Sequence, residues 1–182
     1  MTIEASQKLL AEAEKNIAQN LVEWARLSAE VSRVGIISTR WYGEVIQNLK
    51  SSAENFLGRV ELNKNKIDHV EVSGSWELPL VVSEYIQQKN PSFVIVLGCV
   101  VKGETPHFDI LCSSVTDALM KLQIKSRIPL GFGLLTVNSL EQAMARSNKG
   151  AEAAEAALRS WISLKKLSEK LSEKVSGKVS GK

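Results

Sequence analysis

A nearly unbroken apolar run in the middle of the chain constrains the fold more than any other feature. Residues 93–97 (FVIVL) are mostly β-branched and lack the apolar-polar alternation of a strand with one face in water. Such a run is typical of a parallel strand that helices cover on both faces. The rest of the chain should therefore supply further parallel strands and the helices that connect them.

Strand and helix patterns alternate from Arg33 onward, as this arrangement requires. The predicted strands cover residues 33–38, 66–72, 93–97 and 129–136. Apolar residues at helical spacing fill the segments between them, and a short helix over 139–146 and a long helix from about Ala151 complete the pattern. The predicted fold class is α/β, with a four-stranded parallel sheet flanked by helices.

The two ends of the chain differ from this domain, which is predicted to span residues 33–165. Residues 1–32 carry apolar side chains at helical spacing, which predicts an amphipathic helical extension that either packs on a partner surface or docks loosely. Its apolar positions are Leu10, Ala13, Ile17, Leu21, Trp24 and Leu27. Residues 166–182 are a low-complexity repeat of Lys, Ser, Glu and Gly, which predicts a solvated, frayed tail or, alternatively, an engineered or partner-binding appendage.

Composition argues against several classes of function. The net charge is +3, many lysines lie in the tail, and the core has no basic stripe with interleaved aromatics, so no nucleic-acid partner is expected. Cys99 and Cys112 lack a metal-ligand spacing and are expected to be free thiols in a reducing cytoplasm. No apolar run approaches the ~20 residues of a membrane span, and no signal or transit peptide is recognised. We therefore expect a cytoplasmic protein without a membrane partner.

The segments that follow each strand are the candidate binding site, because ligands of parallel α/β sheets bind outside the carboxyl ends of the strands. Polar and aromatic residues occupy all four segments: Thr39 to Tyr42, Gly74 to Glu77, Lys102 to His107, and Thr136 with Asn138. Since these segments meet at one edge of the sheet, we expect their side chains to form one site.

The segment after the third strand combines features of a phosphate site and of a proton-transfer site. Gly98 and Gly103 flank the strand exit, and Thr105 and Pro106 predict an N-cap followed by proline at the first helical position. Free N–H groups from Gly103 to His107 would suit an anion, and His107 could transfer protons near neutral pH. A capped turn with a surface histidine is an alternative of about equal weight for this loop taken alone.

Other side chains at this edge have both a binding and a structural interpretation. Trp41 could stack on a flat heterocycle or pack as a lid over the core. Glu77 could accept hydrogen bonds from a polyol or only stabilise a helix N-terminus. Arg146 and Lys149 could supply positive charge to the site or lie solvated on the surface. His69, within the second strand, is interpreted as structural.

Five motifs from these segments are more informative together than any one of them alone. They are GSWELP at 74–79, GCVVKGETPHFD at 98–109, GFGLLT at 131–136, EQAMAR at 141–146 and NKGAEAA at 148–154. In this order and spacing, over about residues 33–163, they resemble lumazine synthase, the penultimate enzyme of riboflavin biosynthesis. The resemblance implies a three-layer α/β/α flavodoxin-like fold, assembled as a pentamer or as an icosahedral shell of twelve pentamers.

The same resemblance implies a transferase reaction without a metal or other cofactor. In it, 5-amino-6-(D-ribitylamino)uracil condenses with 3,4-dihydroxy-2-butanone 4-phosphate to 6,7-dimethyl-8-ribityllumazine, phosphate and water. Each step of such a condensation is a proton transfer or the departure of an anion, so a histidine and a phosphate-binding loop suffice. The implied partners are these small molecules and further copies of the chain, with active sites at subunit interfaces.

The resemblance also implies which residues contact the substrates. The substrate-binding set is Trp41, Ser75, Trp76, Glu77, Val100, Val101, Glu104, Thr105, Phe132 and Lys149. Trp41 matches the aromatic residue that stacks on the pyrimidine ring, and the backbone of Val100 and Val101 matches contacts to its edge. Ser75 and Glu77 match positions that hold the ribityl chain.

The remaining implied roles concern the phosphate and the chemistry. The backbone of Glu104 and Thr105 matches the phosphate-binding loop, and Arg146 matches an arginine that binds the same phosphate. His107 matches the catalytic histidine. Phe132 matches an aromatic residue that closes the pocket of the neighbouring subunit. His107 and Arg146 are therefore the predicted catalytic residues.

The chain departs from the family pattern at a few positions. Tyr42 stands where asparagine or histidine is usual, Ser73 replaces a common proline, and Lys102 replaces a common arginine. The linker at 146–148, before the lysine that matches a ribityl contact (Lys149), is shorter than usual, and this linker affects the angle between pentamers. The alternatives to an active enzyme are a self-assembling shell or scaffold protein with reduced or no activity, and a module that binds lumazines or flavins without turnover.

Overall fold

Four parallel strands form the central layer of the protein in a computed structural model that describes residues 20–179. The strands are β1 (Val34–Thr39), β2 (Ile67–Val72), β3 (Phe93–Val101) and β4 (Leu130–Val137). They lie in the order β2-β1-β3-β4, and every neighbouring pair is parallel. This is the order of doubly wound, flavodoxin-like sheets, so the predicted α/β class and parallel sheet are confirmed.

Helices cover both faces of the sheet. They are α1 (20–28), α2 (Gly43–Arg59), α3 (Leu78–Lys89), α4 (His107–Ser126), α5 (Leu140–Met144) and α6 (Lys149–Val179). Helices α1, α2 and α6 pack on one face and α3 and α4 pack on the other, each group around its own apolar cluster. The molecule thus has the three layers, α/β/α, that the sequence implied.

The two apolar clusters meet at β3. Phe93, Ile95 and Leu97 belong to one cluster, Val94 and Val96 belong to the other, and all five side chains are 0% exposed. Complete burial of such a side chain contributes about 1.5–3 kcal/mol. The apolar run that predicted a doubly covered strand is therefore also a main source of the stability of the sheet.

β3 is longer than predicted, because Gly98 does not end it. The strand continues through Gly98 to Val101 and pairs with β4 over that length. A Cβ atom at Gly98 would lie 2.5 Å from Leu134 Cδ1, so glycine serves the close packing of Leu134 against β3 rather than a turn. The prediction that Gly98 marks the strand exit is therefore wrong.

Helix α1 packs on the domain through one side. Trp24 and Leu27 are buried, and the Trp24 ring lies 6.1 Å from the ring of Phe56 in α2. Leu21 lies partly buried against the same cluster. The other predicted apolar positions of the extension lie outside the described residues: Leu10, Ala13 and Ile17. The domain boundary proposed between residues 32 and 33 stays a prediction.

Helix α6 extends well past the predicted end of the domain. It is helical to Val179, so the prediction of a solvated, frayed tail is wrong about fraying in the described part of residues 166–182, while residues 166–172 are exposed to solvent as predicted. Leu, Lys and Glu in the repeat are good helix formers, and Lys165 and Glu169 add an i,i+4 ion pair at 3.9 Å. Neither this helix nor any other within residues 20–179 is both long and apolar enough to cross a membrane.

Candidate active site

The carboxyl ends of β1, β2 and β3 surround a cavity of about 360 Å³. It lies where the chain connections turn toward opposite edges of the sheet, which is the usual ligand position in this fold. Its lining consists of Thr39, Trp41, Tyr42, Gly74, Ser75, Trp76, Glu77, Cys99, Val100, Val101, His107 and Leu111. Three of the four predicted segments therefore meet here, with seven of the residues predicted for the site.

A larger groove of about 780 Å³ lies between β2 and α3, away from the predicted site residues. Its partly buried carboxylate, Asp68, accepts hydrogen bonds from Arg33 Nη1 at 2.6 Å and from Tyr85 Oη at 3.0 Å. These partners already satisfy this carboxylate. The smaller cavity is the candidate active site because it lies at the carboxyl ends of the strands and contains His107, whereas the histidine of the larger groove, His69, lies within β2.

An unusual backbone turn after β1 brings Trp41 and Tyr42 to the cavity wall. Tyr42 has φ 62° and ψ 53°, a left-handed conformation that is rare for a bulky residue and is often found at functional sites. Trp41 is 68% exposed, and a Cβ atom on Gly74 would lie 3.6 Å from both Cδ1 and Nε1 of its indole. The indole edge therefore lies against the loop after β2 while most of the ring stays open. This arrangement favours stacking on a flat ring over the alternative of a core lid.

The short turn Ser75–Glu77 leads from β2 into α3 and fixes a carboxylate at the cavity. Glu77 Oε2 accepts a hydrogen bond from the N–H of Gly74 at 2.9 Å. Among the described residues, no group donates to the other oxygen, Oε1. Glu77 can therefore have both of its predicted roles. Oε2 stabilises the turn, and Oε1 can accept a hydrogen bond from a ligand hydroxyl.

The loop from β3 to α4 presents several backbone N–H groups that can bind an anion. Lys102 N donates to Val137 O at 2.8 Å, which anchors the start of the loop to β4. Within the described residues, the N–H groups of Gly103, Glu104 and Thr105 have no backbone acceptor. Because these groups precede the positive end of α4, the loop suits a phosphate. Glu104 and Thr105 are exposed beside the cavity and do not line it.

Helix α4 begins at His107. The carbonyl of Pro106 accepts from Ile110 N at 3.2 Å, so Pro106 is the N-cap, and no side chain caps the helix. The prediction of Thr105 as N-cap and Pro106 as first helical residue is therefore wrong by one position. The φ of −62° at Pro106 suits either position, which is why the sequence could not separate them. His107 is exposed, lines the cavity and lies at the end of the loop.

Comparison with known families identifies the kind of protein that carries this site. The sequence model of the 6,7-dimethyl-8-ribityllumazine synthase family matches residues 31–165. The chain belongs to the lumazine synthase family. The match spans all four strands and every residue predicted for the site. Family membership supports a general function in riboflavin biosynthesis and implies a transferase.

Three residues predicted for the lumazine synthase site lie on the β4 side of the chain, outside this cavity. Phe132 of β4 is 47% exposed and lines a separate shallow cavity. Arg146 Nη1 donates to Gln142 O at 2.7 Å, and Lys149 Nζ pairs with Glu152. The fold of a single lumazine synthase chain thus brings one part of the predicted site together and leaves the other part at its surface.

The short linker after Arg146 is held by α2. Ser52 Oγ of α2 donates to Ser147 O at 2.7 Å. A Cβ atom on Gly150 would lie 1.9 Å from Leu49 O, so only glycine permits this approach of α6 to α2. These contacts fix the backbone of the linker and leave the side chains at both its ends exposed.

Two cavity residues, Cys99 and Leu111, were not predicted from the lumazine synthase motifs. Leu111 follows His107 by one helical turn, a spacing that could have revealed it. Burial raises the pKa of Cys99 to about 11, so this thiol stays protonated at neutral pH. Neither Cys99 nor any other described His, Cys, Asp or Glu belongs to a group of three that could hold a metal ion.

Thr39 forms part of the cavity floor and has an unsatisfied hydroxyl. The residue is 1% exposed at the carboxyl end of β1, in the middle of the sheet. Its Oγ1 is the one buried side-chain polar atom in the described part of the chain that lacks a hydrogen-bond partner. Such atoms are rare in folded proteins and destabilise them.

Proposed function

We propose that the protein condenses 5-amino-6-(D-ribitylamino)uracil with 3,4-dihydroxy-2-butanone 4-phosphate to 6,7-dimethyl-8-ribityllumazine, phosphate and water. The observation that carries this proposal is the content of one cavity at the strand ends. An exposed tryptophan, a fixed carboxylate and a histidine line it, and unbonded backbone N–H groups lie beside it. The tryptophan suits a pyrimidine ring, and the carboxylate suits the hydroxyls of a polyol. The histidine suits a proton transfer, and the backbone N–H groups suit a phosphate ester.

The pyrimidine substrate occupies the cavity between β1, β2 and β3. Trp41 stacks on its ring, an interaction of about 1–3 kcal/mol when solvent is excluded. The backbone of Val100 and Val101 contacts the edge of the ring. The turn 75–77 receives the ribityl chain, whose hydroxyls donate to Glu77 Oε1, and Lys149 approaches the same chain from the β4 side.

The phosphate ester binds at the start of α4. The N–H groups of Glu104 and Thr105 and the positive end of the helix dipole hold the dianion. Arg146 adds a charge-assisted contact once its guanidinium leaves the carbonyl of Gln142. That exchange should be inexpensive, because the Arg146 side chain is exposed to solvent where it bonds to Gln142.

His107 moves the protons of the reaction. The pyrimidine amino group attacks the ketone carbon, and loss of one water gives an imine. A proton shift and cleavage of the C–O bond to phosphate then leave a carbonyl on the neighbouring carbon. The ribityl-bearing nitrogen attacks this carbonyl, and loss of a second water closes the ring. A positioned histidine contributes about 10²–10⁴-fold to such proton transfers, and holding both substrates together contributes further.

Two separate apolar surfaces support a homo-oligomer with shared active sites. One surface lies on α3 and the neighbouring helix starts and contains Trp76, Leu80 and Ile110. The other lies along α4 and β4 and contains Met120, Ile124 and Phe132. Two different surfaces on one chain suit a head-to-tail contact, which closes into a ring. We propose a pentamer in which Phe132 of one subunit closes the cavity of the next, with a shell of twelve pentamers as the larger assembly.

An activity assay tests the proposed reaction. The protein is mixed with both substrates, and the absorbance and fluorescence of the lumazine product are followed over time. We expect product to form faster than in the reaction without protein. A rate equal to the uncatalysed rate would overturn the proposal in favour of a scaffold without activity. Light scattering on the same sample separates a pentamer from a shell, because their masses differ about twelvefold.

A further inference from the structure

The loop between β3 and α4 is anchored at its start and open in its middle. Lys102 N donates to Val137 O at 2.8 Å, which fixes the first loop residue to β4. In the described part of the chain, no hydrogen bond or ion pair holds residues 103–105. A Cβ atom on Gly103 would have no neighbour within 4 Å. The segment that carries the free N–H groups therefore lies open to solvent.

The side chain of Lys102 spans this open segment and reaches the first turn of α4. Its Nζ lies 4.0 Å from Asp109 Oδ1 and 5.7 Å from the centroid of the Phe108 ring. Lys102 is thus attached to β4 through its backbone and to α4 through its side chain. An exposed ion pair of this kind contributes little to stability, so its effect on the charge beside the loop is the larger one.

The carboxylate of Asp109 opposes the binding of an anion at the start of α4. Asp109 lies in the first helical turn, where a carboxylate occupies the positive end of the helix dipole as a phosphate would. Its charge also repels a phosphate dianion at short range. Glu104 adds a second carboxylate, which forms no ion pair with any described residue. Lys102 is the only lysine or arginine in residues 102–109, so it alone offsets these charges within the segment.

We propose that Lys102 is a positioning residue that holds and neutralises Asp109, so that the positive end of α4 stays available to the phosphate ester. Lys102 does not line the cavity, and its ammonium group is directed to α4, so it acts through Asp109 rather than on the substrate. The inference rests on the proposed function, in which a phosphate binds at Glu104 and Thr105.

Calorimetric titration of the full chain with inorganic phosphate tests this role without turnover. Lys102→Met should weaken phosphate binding about fivefold, because Asp109 is then unpaired. Asp109→Asn should bind phosphate at least as tightly as the wild type. The variant with both changes should return to within about twofold of the wild type, because it has the same net charge and no carboxylate at position 109 to neutralise.

Steady-state kinetics gives a second readout. Lys102→Met should raise KM for the phosphate substrate about fivefold and leave KM for the pyrimidine unchanged, whereas Lys102→Arg, which keeps the charge, should behave as the wild type. The matched control is Lys121→Met, which removes another exposed ion pair of α4, to Asp117 at 2.6 Å, and should alter neither KM nor phosphate affinity. An unchanged midpoint of thermal unfolding shows that each variant is folded.

The outcomes separate this proposal from the proposed reaction. Wild-type phosphate affinity in Lys102→Met would overturn the role of Lys102, even in an active enzyme. Equal weakening in Lys102→Met and in the variant with both changes would also overturn it, because Lys102 would then contact the phosphate directly. If the wild type binds phosphate and forms no product, the proposed reaction fails, and the titrations still decide the role of Lys102. A wild type that binds no phosphate would overturn this proposal.

Discussion

The two parts of the site differ in how they are held. In the cavity part, Trp41, Glu77 and His107 come together through the ends of three neighbouring strands of one chain. In the β4 part, Phe132 is exposed and Arg146 is bonded to the carbonyl of its own helix turn. Strand ends meet in any chain that forms the sheet, whereas in the proposed function the β4 part requires a neighbouring subunit or a side-chain exchange. This difference supports the proposal that the complete site forms in an oligomer.

The largest expected effect on stability comes from a substitution at the linker that holds Arg146 and Lys149. Gly150→Ala places a Cβ atom 1.9 Å from Leu49 O and should lower the free energy of unfolding by about 3 kcal/mol, because backbone must move. Denaturant unfolding measures the change. The control is Gly43→Ala, where no atom lies within 4 Å of the new Cβ, and its effect should stay below about 1 kcal/mol. Equal midpoints for Gly150→Ala and wild type would show that α2 does not hold the linker.

A second substitution tests whether Arg146 of the β4 part serves the phosphate substrate alone. Arg146→Ala should raise KM for the phosphate substrate about tenfold or more, because one charge-assisted contact is lost, and should leave KM for the pyrimidine unchanged. Steady-state kinetics with each substrate varied in turn measures both constants. Lys121→Ala, at an exposed ion pair of α4, is the control. A normal KM for the phosphate substrate would exclude Arg146 from the site.

The pH dependence of the free energy of unfolding tests how much the Asp68 carboxylate stabilises the sheet on which both parts are built. Although burial opposes ionisation, hydrogen bonds from Arg33 and Tyr85 lower the pKa of Asp68 below its ordinary value. A carboxylate whose pKa is lowered by folding stabilises the protein above the unfolded-state pKa, and this stability is lost as the pH falls through the folded-state pKa. The free energy of unfolding should therefore fall below about pH 4.

Asp68→Asn should remove this part of the pH dependence, whereas Asp117→Asn, at an exposed i,i+4 pair, should retain it. Chemical unfolding at a series of pH values between neutral and acid measures both. If the free energy of unfolding depends on pH identically in Asp68→Asn and in the wild type, the ionised Asp68 does not stabilise the folded protein.

The smallest expected change in stability comes from removing the Thr39 hydroxyl at the cavity floor. Thr39→Val keeps the shape of the side chain and removes the unpartnered hydroxyl, so the free energy of unfolding should rise by about 1 kcal/mol. Thr136→Val, at an exposed position of β4, should change it by less than about 0.5 kcal/mol. If Thr39→Val instead destabilises the protein, the hydroxyl has a partner in solution.

Much of the sheet and the cavity part could be predicted from the sequence, because both follow from local patterns. The run at 93–97 indicated a doubly covered strand, and segments at strand ends had to meet. The role of Gly98 could not be predicted, because a glycine that allows close packing looks the same as one in a turn. The helical end of α6 depended on helix propensity, which the low-complexity composition concealed.

The β4 part was less predictable for a different reason. The motifs implied roles for Phe132 and Arg146, but no local pattern specifies which surface a side chain meets in a neighbouring subunit. Cys99 was missed because an apolar strand position next to Gly98 carries no chemical signal. Local patterns predict the fold of one chain, and they carry no information on the contacts between chains that the proposed function requires.

The most direct test of the proposed mechanism is the behaviour of His107→Ala. The cavity part should still bind the lumazine product, because Trp41 and Glu77 remain in place, and product fluorescence should give a Kd within about threefold of wild type. The value of kcat should fall about 10²–10⁴-fold, because proton transfer is lost. A kcat equal to that of the wild type would contradict the assignment of His107 as the residue that moves the protons.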